Sequence, residues 1–224
     1  MADHTPFTLH DCGLARLGQG TRCATLDDLL KAVRDAPELV IEHHMMRCVL
    51  EDHFELYEFP NDLALWCWDS LGDHVLGERL GIVDPYRHPS LDSLRQQLAT
   101  LIADRIAEQD VPLVCRPGHE LHLTASRLIA YRTGEEFATP VELAEQIGHF
   151  TLPSLFYHVH EARRRSDGRT DDFSLWLEGQ DADPGLVAAI RKIDFYFLNL
   201  RQLRDELVRA FHEFMPIVPA AAVS

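Results

Sequence analysis

Four blocks of this sequence occur twice, in the same order and at nearly the same spacing. GTRCATLDDL at 20–29 matches GEEFATPVEL at 134–143, keeping Gly20, Ala24, Thr25 and Leu29 as Gly134, Ala138, Thr139 and Leu143. VIEHHM at 40–45 matches SLFYHV at 154–159, so His44 falls on His158. NDLALWC at 61–67 matches DDFSLWL at 171–177, and Asp62, Leu65 and Trp66 recur as Asp172, Leu175 and Trp176. DPYRHPSLDSLRQQL at 84–98 matches DFYFLNLRQLRDEL at 194–207, where Asp84, Tyr86, Leu94 and Arg95 recur as Asp194, Tyr196, Leu203 and Arg204. Self-similarity on this scale predicts two copies of one structural unit, related by a pseudo-two-fold axis. The expected division is a first copy over 1–108, a linker over 109–120, a second copy over 121–215 and a tail over 216–224. A copy of about 100 residues buries a smaller fraction of its surface alone, which favours one intertwined core over two separate domains.

Local patterns give each copy the same contents. Apolar–polar alternation over 121–132, and more weakly over 7–18, predicts a strand or hairpin, with Gly20 and Gly134 as turns. Thr139-Pro140-Val141-Glu142 reads as a capping box at a helix start, with Thr25-Leu26-Asp27-Asp28 as its weaker counterpart. Further helices are expected around His44 and His158 and over 62–80, with Leu63, Trp66 and Leu71 inward. Leu91, Leu94, Leu98 and Ile102, and likewise Leu200, Leu203, Leu207 and Phe211, follow helical spacing in the last helix of each copy. The fold class is therefore α+β and helix-dominated, with a small N-terminal strand pair in each copy.

Charge and composition exclude some partners. A formal charge of −15 repels nucleic-acid phosphates. Apolar stretches such as Leu63–Trp68 fall far short of the roughly 20 residues that cross a bilayer. The first residues carry neither a basic region nor an apolar segment, so a cytoplasmic protein is expected. Cys12, Cys23, Cys48, Cys67 and Cys115 are odd in number and form no C-x-x-C pair, which argues for reduced thiols.

Phe156-Tyr157-His158, Glu161-Ala162-Arg163-Arg164-Arg165 and Asp171-Asp172-Phe173-Ser174 form a pattern that resembles a prokaryotic family known only as a domain of unknown function. The likeness runs from about residue 7 to residue 214, and it implies no activity. Glu42-His43-His44 departs from the aromatic pair that precedes the histidine in that pattern.

Candidate sites follow from residue chemistry. His44, His158, Asp62 and Asp172 together would suit zinc, iron or manganese at the meeting of the two copies. The competing reading is structural: a buried histidine bonded to a carboxylate, and aspartates that cap helices. Arg163, Arg164 and Arg165 could hold an anionic ligand bidentately, with His158, Asp172 and Arg204 completing a site. Alternatively, they pair with the chain's own carboxylates. Arg95 and Arg204 are expected to pair with aspartates among Asp62, Asp84, Asp172 and Asp194, and Trp66 and Trp176 to anchor the core. Neither G-x-S-x-G nor a glycine-rich phosphate loop occurs.

These features favour a non-catalytic binding or accessory protein acting on a protein partner or a small anionic metabolite. The alternative is a metal-dependent or acid–base enzyme. The sequence names no cofactor, and internal symmetry suits either a monomer imitating an ancestral dimer or a homodimer.

Overall fold

Two 17-residue strands, β1 (Phe7–Cys23) and β2 (Leu121–Phe137), pair in one antiparallel two-stranded sheet. The computed structural model describes residues 5–51 and 59–215; the expected tail at 216–224 lies outside the described residues. Each strand is buried at its start. Phe7, Leu9 and Cys12 lead β1 inward, and Leu121, Leu123 and Ala125 lead β2 inward at the two-residue period of a half-buried strand. Residues 15–22 and 129–136 are then exposed, before Cys23 and Phe137 turn inward again. The strand pair expected within each copy is replaced by pairing between β1 and β2. Gly20 and Gly134, read as turns, lie inside continuing strands with φ of +71° and +92°. A glycine there admits the left-handed backbone and re-aims the strand without reversing it.

The chain forms two compact units. One is Leu14–Ile129, and the other joins the residues up to Gly13 to those from Ala130 onward. The division expected at 109–120 is therefore displaced into the strands. The physical reason is that each set of helices covers its apolar face with the buried start of the strand from the other half of the sequence.

The Leu14–Ile129 unit contains α1 (Leu26–Asp35), α2 (Glu38–Glu42), a π-helical turn over His43–Arg47, α3 (Asp62–Asp69), α4 (His74–Gly81) and α5 (Leu91–Ala107). Leu29, Met45, Leu63, Leu80, Leu94, Leu98 and Ile102 pack with Leu121, Leu123 and Ala125 in its core. Each fully buried leucine contributes about 1.5–3 kcal/mol. The single helix expected over 62–80 is two. Gly72, with φ +69°, ends the first, and the Asp73 carboxylate caps the second by accepting from Leu76 N–H. Gly77 lets α4 lie close on α3, since a Cβ there would sit 3.2 Å from Trp68 Cβ.

The other unit contains α6 (Pro140–Gln146), α7 (Leu152–Phe156), a π-helical turn over Tyr157–Glu161, α8 (Ala162–Arg165), α9 (Asp172–Gly179), α10 (Pro184–Arg191) and α11 (Leu200–Phe214). Phe7 from β1 stacks on Phe173 at 5.2 Å, and Leu203, Leu207 and Phe211 line the inner face of α11. Among the described residues, no helix is long and apolar enough to cross a membrane.

The two helix starts reverse their expected strengths. Thr25 and Asp28 complete a reciprocal capping box. At α6, Thr139 accepts from Glu142 N–H, but the Glu142 carboxylate reaches one residue further back, to Ala138 N–H.

Candidate functional site

The matched histidines stand in matched surroundings. His44 Nδ1 lies 2.6 Å from Asp62 Oδ2, and His158 Nδ1 lies 2.7 Å from Asp172 Oδ2. On the other side of each ring, Nε2 faces a backbone amide. Thr124 N–H of β2 donates to His44 Nε2 at 3.1 Å, and His10 N–H of β1 donates to His158 Nε2 at 3.0 Å. A backbone N–H can only donate, so Nε2 carries the lone pair and Nδ1 the proton that goes to the aspartate. Both rings are 2% exposed. Burial holds the His158 pKa below its ordinary value against the opposing pull of Asp172. Each imidazole is thus a peg between a carboxylate at a helix start and a strand.

The π-helical turn places both pegs. Widening the helix by one residue at 43–47 and at 157–161 carries His44 and His158 inward at matching places, beside a buried His43 in one turn and a half-buried Tyr157 in the other. The helix caps downstream come from the residue just before each aspartate. Asn61 accepts from Ala64 N–H and Asp171 from Ser174 N–H, which leaves Asp62 and Asp172 for the histidines. His44 and Asp62 belong to the Leu14–Ile129 unit, and His158 and Asp172 to the other.

The arginine run takes three separate partners. Arg163 Nη2 donates to Asp171 at 2.8 Å and its guanidinium lies 4.2 Å over the Phe195 ring. Arg164 grips Glu161 at 2.9 Å. Arg165 donates to Asp172 and to Tyr157 O, and lies 4.2 Å over the Tyr157 ring. Three consecutive helical residues point in different directions, so the run does not converge. Arg95 lies 4.0 Å from Asp92 on its own helix and pairs with none of the four expected aspartates. It donates to Val33 O at 2.6 Å, satisfying a carbonyl at the end of α1, because its position on α5 faces that terminus. Arg204 is half-buried and makes no hydrogen bond or ion pair among the described residues. Trp66 Nε1 donates to His119 O and Trp176 Nε1 to Thr5 O.

All five cysteines are buried and unbridged. Burial pushes the Cys12 thiol up to about 12 and the Cys23 thiol to about 11, and raises Cys48, Cys67 and Cys115 as well. None is set up as a nucleophile at neutral pH.

A cavity of about 370 Å³ opens in the Leu14–Ile129 unit beside the His44 peg, lined among others by Arg16, His43, Glu51, Asp62, Trp66 and His122. Its inner wall includes a residue that the sequence reading did not place in a site. His43 is 3% exposed. Its Nδ1 lies 3.1 Å from Ser126 Oγ, and its Nε2 lies 3.6 Å from Glu51 Oε1. Burial, reinforced by the neighbouring His44, pushes its pKa down to about 4, so the ring is neutral at pH 7. One donor atom from each of His43, His44 and Asp62 lies within 4.8 Å of the other two. Arg16 Nη1 pairs with Glu51 at 2.9 Å at the cavity's exposed side. Below the cavity, Arg47 forms a buried ion pair with Glu42 and donates to Ser126 O at 2.6 Å, tying the turn to β2. The doubled histidine at 43–44 was the available signal for His43; Ser126 and Glu51 gave none, because each meets it only through the fold.

Comparison with known proteins gives a family and a fold. A family model described as "Family of unknown function (DUF5752)" matches residues 4–212. No curated protein matches the sequence. A solved structure described as "The structure of OrfY from Thermoproteus tenax" is similar at a TM-score of 0.75 and 25% identity, covering 94% of this chain and 96% of that one.

Proposed function

We propose a function starting from the fact that the chain belongs to the Family of unknown function (DUF5752): it is a non-catalytic binding or accessory protein, whose small polar ligand sits in the cavity of the Leu14–Ile129 unit. One contrast carries this reading. The His–Asp couples have both ring nitrogens engaged, so their chemistry goes into holding strands. The cavity wall instead offers a deep imidazole, carboxylates, Arg16 and an indole to an occupant. Its volume of about 370 Å³ lies in the range of small-molecule sites. High thiol pKa values argue against covalent catalysis by cysteine.

The matched sequence blocks, the like-bonded histidines and the π-helical turns in both halves support an origin by duplication. On this reading the first half has kept a ligand seat. Unbridged thiols support a reducing cytoplasm as its place of work.

Thermal-shift screening of the full chain against small polar metabolites, with chelator and again with added Zn²⁺, tests the proposal. Compounds that raise the Tm of the parent chain are expected to lose that effect in Ser70→Phe, which fills the cavity from its wall. A blank screen under both conditions, or equal shifts in the filled variant, sinks it.

A further inference from the structure

A second cavity, of about 410 Å³, opens in the Leu14–Ile129 unit and shares no lining residue with the one beside His43. Its volume is also that of a small-molecule site. One wall is a single face of α1: Asp28, Lys31, Ala32 and Asp35 stand three, four and seven positions apart, the spacing that stacks side chains along a helix. Thr21 and Arg22 bring the end of β1 to the same cavity. Ala32, Val40 and Leu123 are buried and give it an apolar inner surface.

Charge is where these positions differ most from their matches in the other half of the sequence. The first pair of matched blocks runs without a gap from Gly20 and Gly134, so Arg22 matches Glu136 and Lys31 matches Glu145. The same two places carry −2 in one half and +2 in the other, within a chain whose formal charge is −15. Neither Arg22 nor Lys31 makes a hydrogen bond or an ion pair among the described residues. They act on Glu120 and Asp28 only across space. The Asp28 carboxylate is already engaged at the start of α1, accepting from Ala24 N–H at 3.0 Å and Thr25 N–H at 3.1 Å. Asp35, at the other end of the helix, adds a like charge that an anion would have to tolerate.

We infer that this second cavity binds a small organic oxyanion, a carboxylate or phosphate ester with a compact apolar body. Arg22 and Lys31 hold its charged end, and Val40 and Leu123 receive its body. The guanidinium offers a planar fork that matches an oxyanion, and the ammonium a mobile point charge. The Thr21 hydroxyl adds a neutral donor. Both cations are exposed, so the attraction is screened and binding weakens as salt rises. The site is independent of whatever occupies the cavity beside His43.

The test is NMR titration of the isotope-labelled full chain with phenyl phosphate and with phenylacetate. Phenylacetamide and phenethylamine serve as the uncharged and cationic counterparts. Saturable shifts are expected at the amides of Thr21, Arg22 and Ala36 with either anion, and the tighter of the two names the head group. Arg22→Gln and Lys31→Gln are each expected to weaken binding at least fivefold, with unchanged circular dichroism and Tm, because both side chains are exposed. Asp35→Asn removes a like charge and is expected to tighten it several-fold, which general loss of structure would not do. Absence of saturable shifts with both anions overturns the inference. So does phenylacetamide binding as well as phenylacetate, or binding that ignores both cation variants. Weaker binding in Asp35→Asn would mark a cationic or zwitterionic occupant and overturn it too. Shifts confined to the surroundings of His43 would put the anion in the other cavity, with the same result.

Discussion

His158 does its work through two hydrogen bonds that leave its ring in opposite directions. Truncation in His158→Ala leaves the His10 amide without its acceptor and a void beside Phe7 and Phe173. The expected cost is about 2–4 kcal/mol, read as a lower urea midpoint. Asp172→Asn, which keeps an acceptor for Nδ1–H, is expected to cost about 1 kcal/mol. Equal losses for the two would mean that the strand amide contributes nothing. His160 gives the pH dependence. It is buried, stacked on Phe156 at 5.0 Å, and burial, with Arg163 adding to it, pushes its pKa down to about 3. Its folded pKa is below the unfolded value of about 6.5, so the unfolded chain binds the proton first as pH falls. The stabilisation is complete above pH 6.5 and declines by about 1.4 kcal/mol per pH unit between roughly 6.5 and 3. Urea midpoints collected from pH 7 to pH 4.5 in the parent chain and in His160→Phe should diverge by that slope; parallel curves would refute the assignment.

At the scale of elements, the caps are where local sequence decides structure most directly. Thr25→Ala breaks a reciprocal box and should cost about 1 kcal/mol. Thr139→Ala should cost no more, because the bond it loses is the longer one, 3.3 Å against 3.1 Å, while Asp28 and Glu142 keep their backbone partners in either variant. A larger loss at Thr139 than at Thr25, by urea unfolding, would contradict the observed geometry. Caps and helical spacing were legible because both depend on residues within one or two turns of each other. The same locality exposed α5 and α11 and the residues Asp62 and Asp172. The break at Gly72 was not read, since a glycine followed by a capping aspartate interrupts an apolar pattern that continues on both sides. The π-helical turns were hidden for a related reason: one extra residue per turn changes which neighbours point inward without changing composition. Ser126 joins His43 only through long-range packing, and Glu51 meets it through the path of the turn between them, so no motif in the sequence announces either.

For the whole molecule, the unit boundary is the testable feature. A polypeptide of residues 14–129 contains the strand start that carries Thr124 and Ser126, and with it the partners of His44, His43 and Arg47. It is expected to unfold cooperatively in urea with native-like circular dichroism. A polypeptide of residues 1–108, the unit suggested by the repeats, lacks those partners and should show no cooperative transition. The reverse outcome would place the boundary back in the 109–120 loop. Repeated blocks mark what is alike along a chain, whereas a compact unit is set by which surfaces bury each other, and here the strands are exchanged between halves.

That exchange also sets an order of events during synthesis. The Leu14–Ile129 unit has all its parts once residue 129 has left the ribosome, so it can close while translation continues. The first strand residues, with Phe7 and Leu9, belong with helices translated last. Until His158 and Phe173 emerge, the amide of His10 lacks its acceptor and Phe7 its stacking partner. That strand start is made before the helices that house it, and a stall ahead of residue 173 leaves a folded unit preceded by an uncovered apolar strand.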